Sequence, residues 1–215
     1  MDLARRRFLV MGAGAAAAAG VAACAGFSQL SVFDARSAPQ AARATAASAV
    51  SPAFKPLQSA ALPLGDYRRA HLHNLHTGEV LDAVYWENGK YVPDALAEAM
   101  RVMRDWRNGQ EHIMDPRLFD VLHGIQEKIG ANQPFQLISG YRSAQTNAQL
   151  HAESGEVASH SQHMLGKASD IRVEGVELTH LRNAALSLRA GGVGFYPVSN
   201  FVHVDVARVR TWSGT

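Results

Sequence analysis

Apolar and polar residues alternate in two short runs, Arg69 to Leu75 and Glu79 to Trp86, separated by Thr77-Gly78. A period of two around a turn predicts a β-hairpin. Asn88-Gly89 supplies a second turn, and with it a small antiparallel meander. The period then lengthens. From Pro93-Asp94 onward, Leu96, Met100, Met103 and Trp106 fall on roughly one face of a helix. Asp115-Pro116 offers an N-cap and a proline at the first helical position, Leu118, Leu122, Ile125 and Ile129 form the buried stripe, and Gly130 ends the helix. A short apolar strand at 135–138, a helix from Ser143 to about Ala152 and a strand at 168–173 follow. A helix from Leu178 to Ala190 is stopped by Gly191-Gly192, and two strands close the chain at 193–196 and 201–206. This order predicts a compact α+β domain over 66–215, with a small antiparallel sheet packed by helices.

Upstream of residue 66 the pattern is of another kind. Residues 1–25 carry Arg5-Arg6-Arg7 and then an apolar run, Phe8 to Ala23, which reads as an export signal and is short for a membrane span. Arg5-Arg6-Arg7-Phe8-Leu9 resembles the twin-arginine pattern of folded-state export. Val21-Ala22-Ala23-Cys24 resembles a lipobox, so two readings stand: a lipidated Cys24 that tethers the protein to a membrane, or an ordinary cleavage site with the cysteine incidental. Residues 26–65 are rich in Ala, Ser, Pro and Gln and read as a linker. A net charge of +2 argues against a nucleic-acid partner, and a single cysteine excludes an internal disulfide. Ten histidines make a metal site plausible without locating it.

Alternation locates one half of a candidate site. In Phe201-Val202-His203-Val204-Asp205-Val206 the valines take the core face, leaving Phe201, His203 and Asp205 on the other. His203 can then bind a metal while Asp205 serves as its partner or as a proton acceptor. By the same logic Asp170 faces away from Ile171. Gly166 lets the chain turn between His163 and Asp170, so that both side chains converge. Two imidazoles and a carboxylate match the three protein ligands of a catalytic zinc with an open fourth position. The same residues also fit hydrogen-bonded core positions. His71-x-His73-x-x-His76 looks metal-like too, but its pattern suits the solvated face of a hairpin. His160 is expected in a loop or at a cleft border, and His112, His123, His151 and His180 read as ordinary. The tryptophans read as packing residues, although Trp212 could line a groove. Tyr141 and Tyr196 suit a cleft wall or the core.

Ser161-x-His163-x-x-Gly166-x-Ala168-x-Asp170 resembles the S-x-H-x-x-G-x-A-x-D signature of the zinc D-Ala-D-Ala peptidase superfamily, which includes the hedgehog domain. Further segments are similar to the YcbK-like (MepK) murein endopeptidases. They are Asn74 to Glu79, Ser139-Gly140-Tyr141-Arg142-Ser143, His163 to Val173, Gly191 to Pro197, and Ser199 to Val206 with Arg208-Val209-Arg210. The resemblance implies the compact hedgehog-like peptidase fold and Zn2+ held by His163, Asp170 and His203. It also implies that Arg142 binds substrate or steadies the transition state. Many relatives place a histidine two residues before the last ligand, or an acid three before it. Here those positions hold Phe201 and Asn200, so Asp205 becomes the candidate base. The implied function is zinc-dependent hydrolysis of peptidoglycan stem-peptide cross-links by an exported periplasmic or envelope protein. Two alternatives are a D-alanyl-D-alanine carboxypeptidase and a wall-binding protein that keeps the zinc but lacks an effective base.

Overall fold

The computed structural model describes residues 67–154 and 157–214. The expectations for 1–25 and 26–65, including export and a lipidated Cys24, lie outside the described residues. β1 (Tyr67–Asn74) and β2 (Val80–Glu87) pair antiparallel about the expected turn, and β3 (Lys90–Tyr91) completes the meander. Asn88 and Gly89 both have positive φ (51° and 77°), the backbone that a two-residue hairpin turn demands.

Four helices and five further strands follow. They are α1 (Pro93–Val102), α2 (Pro116–Ile129), β4 (Phe135–Ser139), α3 (Ala144–Ser154), β5 (Ala168–Val173), α4 (Leu178–Leu188), β6 (Gly192–Tyr196), β7 (Phe201–Asp205) and β8 (Arg210–Ser213). A 3-10 turn, Gln162–Leu165, precedes β5. α2 starts and stops as its sequence dictates: the Asp115 side chain accepts from the Arg117 N–H, and Gly130 takes the left-handed conformation at φ 63°.

The α+β class holds, but the sheet is neither small nor wholly antiparallel. Eight strands run in the order β3-β2-β1-β4-β5-β7-β6-β8, with β1–β4 and β6–β8 parallel. Periodicity marks strands one at a time, whereas a parallel pair is made by a crossover that brings distant segments together. β8 has no apolar alternation to announce it; its residues are alternately half-buried and exposed.

Two element ends also differ from expectation, each for a tertiary reason. α1 stops at Val102, and Trp106 lies beyond it, stacked on His76 with ring centroids 4.0 Å apart. The Met103 carbonyl is taken by the Tyr141 N–H at 2.7 Å, and Gly140 presses so closely on Met103 that a Cβ there would collide. α4 ends at Leu188, with Arg189 rather than a glycine in the left-handed region. Gly191 and Gly192 are instead required by close approach: a Cβ on either would strike the Asp205 backbone or carboxylate.

The core fills the sheet face on which Leu72, Ile171, Val202 and Val204 lie, covered by α1, α2 and α4. Among the described residues, no helix is long and apolar enough to cross a membrane.

Candidate metal centre

The valine alternation in β7 fixes the first ligand. Val202 and Val204 are buried in the core, so His203 points to the opposite face. β5 lies antiparallel beside it with Asp170 directly opposite His203 in register, and Ile171 in the core as its own alternation requires. His163 reaches the same point from the 3-10 turn. Ser161 caps that turn by accepting from the His163 N–H, and Gly166 closes it at φ 64°. The Asp115 N–H then ties the Gly166 carbonyl at 2.8 Å. Thus the helix-start residue that stabilises α2 also anchors the turn that presents His163.

Three ligand-type atoms converge. His163 Nε2 is 3.2 Å from Asp170 Oδ1 and 3.2 Å from His203 Nδ1, and His203 Nδ1 is 2.8 Å from Asp170 Oδ1. Among the described residues, this is the one group of histidine, cysteine or acidic side chains placed to hold an ion. The ring partners settle which nitrogens face inward. His163 Nδ1–H donates to the Gly140 carbonyl at 2.7 Å, and His203 Nε2–H donates to Asp205 Oδ2 at 3.2 Å. When neutral, each ring therefore turns a lone pair toward the carboxylate oxygen. Three lone pairs at such separations repel unless a cation stands among them.

The electrostatics point the same way. Burial disfavours charge on His163 and lowers its pKa despite the adjacent Asp170. Burial also opposes charge on His203, but hydrogen bonds to Asp170 and Asp205 outweigh it and raise its pKa, so that without a metal a proton on Nδ1 takes the place of the cation. For Asp170 burial acts upward, yet His163 and His203 prevail and hold the carboxyl well below the usual carboxylate range. The site is built to be negative and to receive positive charge. Size is near that of such a site: ligand atoms about 2.0–2.2 Å from a tetrahedral zinc lie roughly 3.3–3.6 Å from one another, close to the two 3.2 Å spacings and wider than the 2.8 Å between His203 and Asp170.

Asp205 sits behind His203, on the ring nitrogen that faces away from the convergence point. Its carboxylate also accepts from the Gly192 and Ala207 N–H groups at 2.9 Å and from both terminal nitrogens of Arg210, at 3.1 and 2.6 Å. Burial alone would raise its pKa, but these donors hold it well below the ordinary range. So saturated a carboxylate suits the role of ring-holding partner rather than that of proton acceptor. The side chain of Arg142 is buried beside the other oxygen of Asp170, Nη2 to Oδ2 3.7 Å, and burial lowers its pKa.

A cavity of about 910 Å³ opens over the three ligands. Arg142 and the 157–162 segment line one part of it, and Tyr196, Phe201, Arg210 and Trp212 another. His160 is both a loop residue and a border of the cleft. Trp212 and Tyr196 face the cavity, with the indole N–H donating to the Tyr196 hydroxyl at 2.8 Å. Tyr141 instead stacks on His112 outside the cavity lining. His71 and His76 bond to the backbone carbonyls of Asn132 and Ile138. Among the described residues, Asp170 is the sole carboxylate lining the cavity, and the Asn200–Phe201 position adds none.

Sequence reasoning passed over several supporting residues. Asp105 is buried, and its carboxylate accepts from the Ser143 N–H at 3.0 Å, next to Arg142. Asn147 is buried behind the cleft wall, and Arg210 pairs with Asp205. A lone Asp or Asn in a polar stretch carries no periodic signal, although the Arg208-Val209-Arg210 resemblance did mark the last of them.

Comparison with known proteins places these features in a family. The family model described as Peptidoglycan L,D-endopeptidase MepK matches residues 63–212. The chain is 48% identical over 141 residues to the peptidoglycan L,D-endopeptidase MepK of Escherichia coli (strain K12), covering 66% of this chain and 78% of the relative. The Shigella flexneri protein of that name matches to the same extent. A probable peptidoglycan L,D-endopeptidase MepK of Haemophilus influenzae is 46% identical over 142 residues, covering 66% of this chain and 76% of its own length. The match takes in every element from β1 to β7 and all three converging ligands, and on that ground the chain belongs to the peptidoglycan L,D-endopeptidase MepK family.

Proposed function

We propose that the chain is a peptidoglycan endopeptidase that uses Zn2+ held by His163, Asp170 and His203. Membership of the family makes it a peptidoglycan-hydrolysing metallopeptidase. The observation that carries the zinc assignment is the convergence of two ring nitrogens and a carboxylate oxygen, with the ring protons committed elsewhere. A zinc ion bound there supplies Lewis acidity, polarising a scissile carbonyl and making water a stronger nucleophile.

The chain's own residues do the remainder. Gly140 O fixes the tautomer and angle of His163, and Asp205 does the same for His203 with Arg210 behind it. Arg142 lines the cavity beside Asp170, where a guanidinium can hold a peptide carboxylate or steady an oxyanion. The substrate is a stem-peptide cross-link, an amide between an L- and a D-configured centre as the relatives' name describes. Such a substrate lies in the cell wall, so residues 1–25 serve as the export signal and 26–65 as the spacer, with Cys24 either a lipidated tether or incidental to a cleavage site.

Cross-linked muropeptide dimers, incubated with protein lacking residues 1–25 and separated by chromatography, test this reading. Zinc-dependent conversion of dimers to monomers is expected. Release of terminal D-alanine alone would identify a carboxypeptidase, and intact dimers with full zinc loading would identify a wall-binding protein.

A further inference from the structure

We propose that Asn147 is a positioning residue that couples the Arg142 guanidinium to the wall of the cleft, an inference that rests on the proposed role of Arg142 toward substrate. Asn147 lies on the second turn's start of α3, is 2% exposed, and does not line the cavity. A buried primary amide needs partners for both its ends. Here the partners are two separate parts of the site. Asn147 Oδ1 accepts from Arg142 Nη1 at 3.5 Å, while Nδ2 donates to the carbonyls of Ala158 at 3.1 Å and Ser159 at 3.4 Å.

Both sides need the help. Arg142 is 8% exposed, its Nε has no partner among the described residues, and its contacts are long: 3.3 Å to Ser139 Oγ, 3.5 Å to Asn147 and 3.7 Å to Asp170. Its backbone is well held, since Asp105 grips the Ser143 N–H at 3.0 Å and Met103 O takes the Tyr141 N–H. The guanidinium at the far end is not. Ala158 lies in an irregular stretch between α3 and the 3-10 turn, and that stretch runs directly into His163. One amide thus registers the cation of the site against the backbone that walls the substrate. Misplacement of such a group by about 1 Å can cost on the order of 100-fold in rate.

The test is a double-mutant cycle on zinc-loaded protein, with limited proteolysis beside it. Asn147→Ala is expected to lower kcat/KM on muropeptide dimers about 10- to 100-fold at unchanged zinc content. In an Arg142→Ala background it should cost little more, because the two residues act as a unit. Cleavage within 157–161 by an added protease should quicken about tenfold, which is read whether or not the protein is a hydrolase. Full activity of Asn147→Ala, or an equal loss in both backgrounds, would overturn the proposal; so would unchanged proteolysis. If the alanine variant does not fold, Asn147→Asp keeps an acceptor for Arg142 and removes the donor to the wall. It should raise KM about tenfold with kcat largely retained, and an unchanged KM overturns the coupling. An inactive wild type whose wall is still released by Asn147→Ala would sink the endopeptidase reading and leave the clamp standing.

Discussion

Asp120 and Asp170 are two of the buried carboxylates in this sheet-and-helix domain, and their surroundings differ in kind. Asp120 on α2 is met by protons: Arg68 Nη1 at 2.7 Å, the Tyr85 hydroxyl at 3.0 Å and the Tyr91 hydroxyl at 2.8 Å. Burial, and the nearby Asp120, push both phenols up in pKa, so they stay donors throughout the accessible range. Asp170 is met by lone pairs when both rings are neutral, because His163 and His203 each give their one ring proton to another acceptor. The first cluster completes itself and ties the hairpin to α2. The second is complete only with a cation. A buried acid is therefore read by asking which way its neighbours' hydrogens point.

The largest effect should come from removing a ligand. His163→Ala takes away one of the three converging atoms and should cost at least ~10³-fold in dimer hydrolysis, the equivalent of about 4 kcal/mol of barrier. Metal analysis should show zinc content falling with it, and a variant that keeps both would break the comparison. Asp120→Asn strikes the other cluster by leaving Arg68 buried without its countercharge. Denaturant unfolding should reveal a loss of about 3–5 kcal/mol, while activity per folded molecule stays near that of the wild type. A large loss of turnover at full folding would mean that the two clusters are not separate.

Asp205→Asn is expected to be milder, because the ring of His203 keeps its place but loses a charged partner. Zinc affinity or activity should drop about 10- to 100-fold, read by competition with a chelator and by turnover. Were Asp205 the base, turnover would collapse while zinc affinity held. The smallest effect concerns Asp105. Burial alone would raise its pKa, but hydrogen bonds from Thr146, Ser143 and the Arg107 N–H prevail and lower it. A depressed folded pKa gives stability that is present above the unfolded value of about 3.9 and is lost as pH falls through the folded one. Asp105→Asn should thus cost about 1 kcal/mol at neutral pH and flatten the acid limb of stability, measured by melting from pH 7 down to 3. An unchanged limb would remove Asp105 from that role.

The comparison also shows what could be read in advance. Val202, Val204 and Val206 sorted His203 and Asp205 onto one face before any coordinates, and Gly166 marked the turn that presents His163. Asp115-Pro116 and Gly130 bracketed α2 at both ends. These features are local: each rests on residues within a turn or a strand of one another. The parallel pairings, the end of α1 at Val102 and the work of Gly191 and Gly192 as a close-approach pair are not local. Nor is the setting of Asp205, which depends on Arg210, Gly192 and Ala207 meeting at its oxygens.

The sequence by itself determined which side chains face together along each strand and the caps of α2, because backbone periodicity and turn chemistry act over a few residues, while His163, Asp170 and His203 were marked as a set by the family resemblance. Only the tertiary structure decided the eight-strand order, the direction of each imidazole proton and the hidden hold of Asp105 and Asn147 on the Arg142 segment. Those depend on which carbonyl, carboxylate or N–H a group meets on burial, and a partner met only through the fold, as Ser143 is by Asp105, leaves no period in a chain.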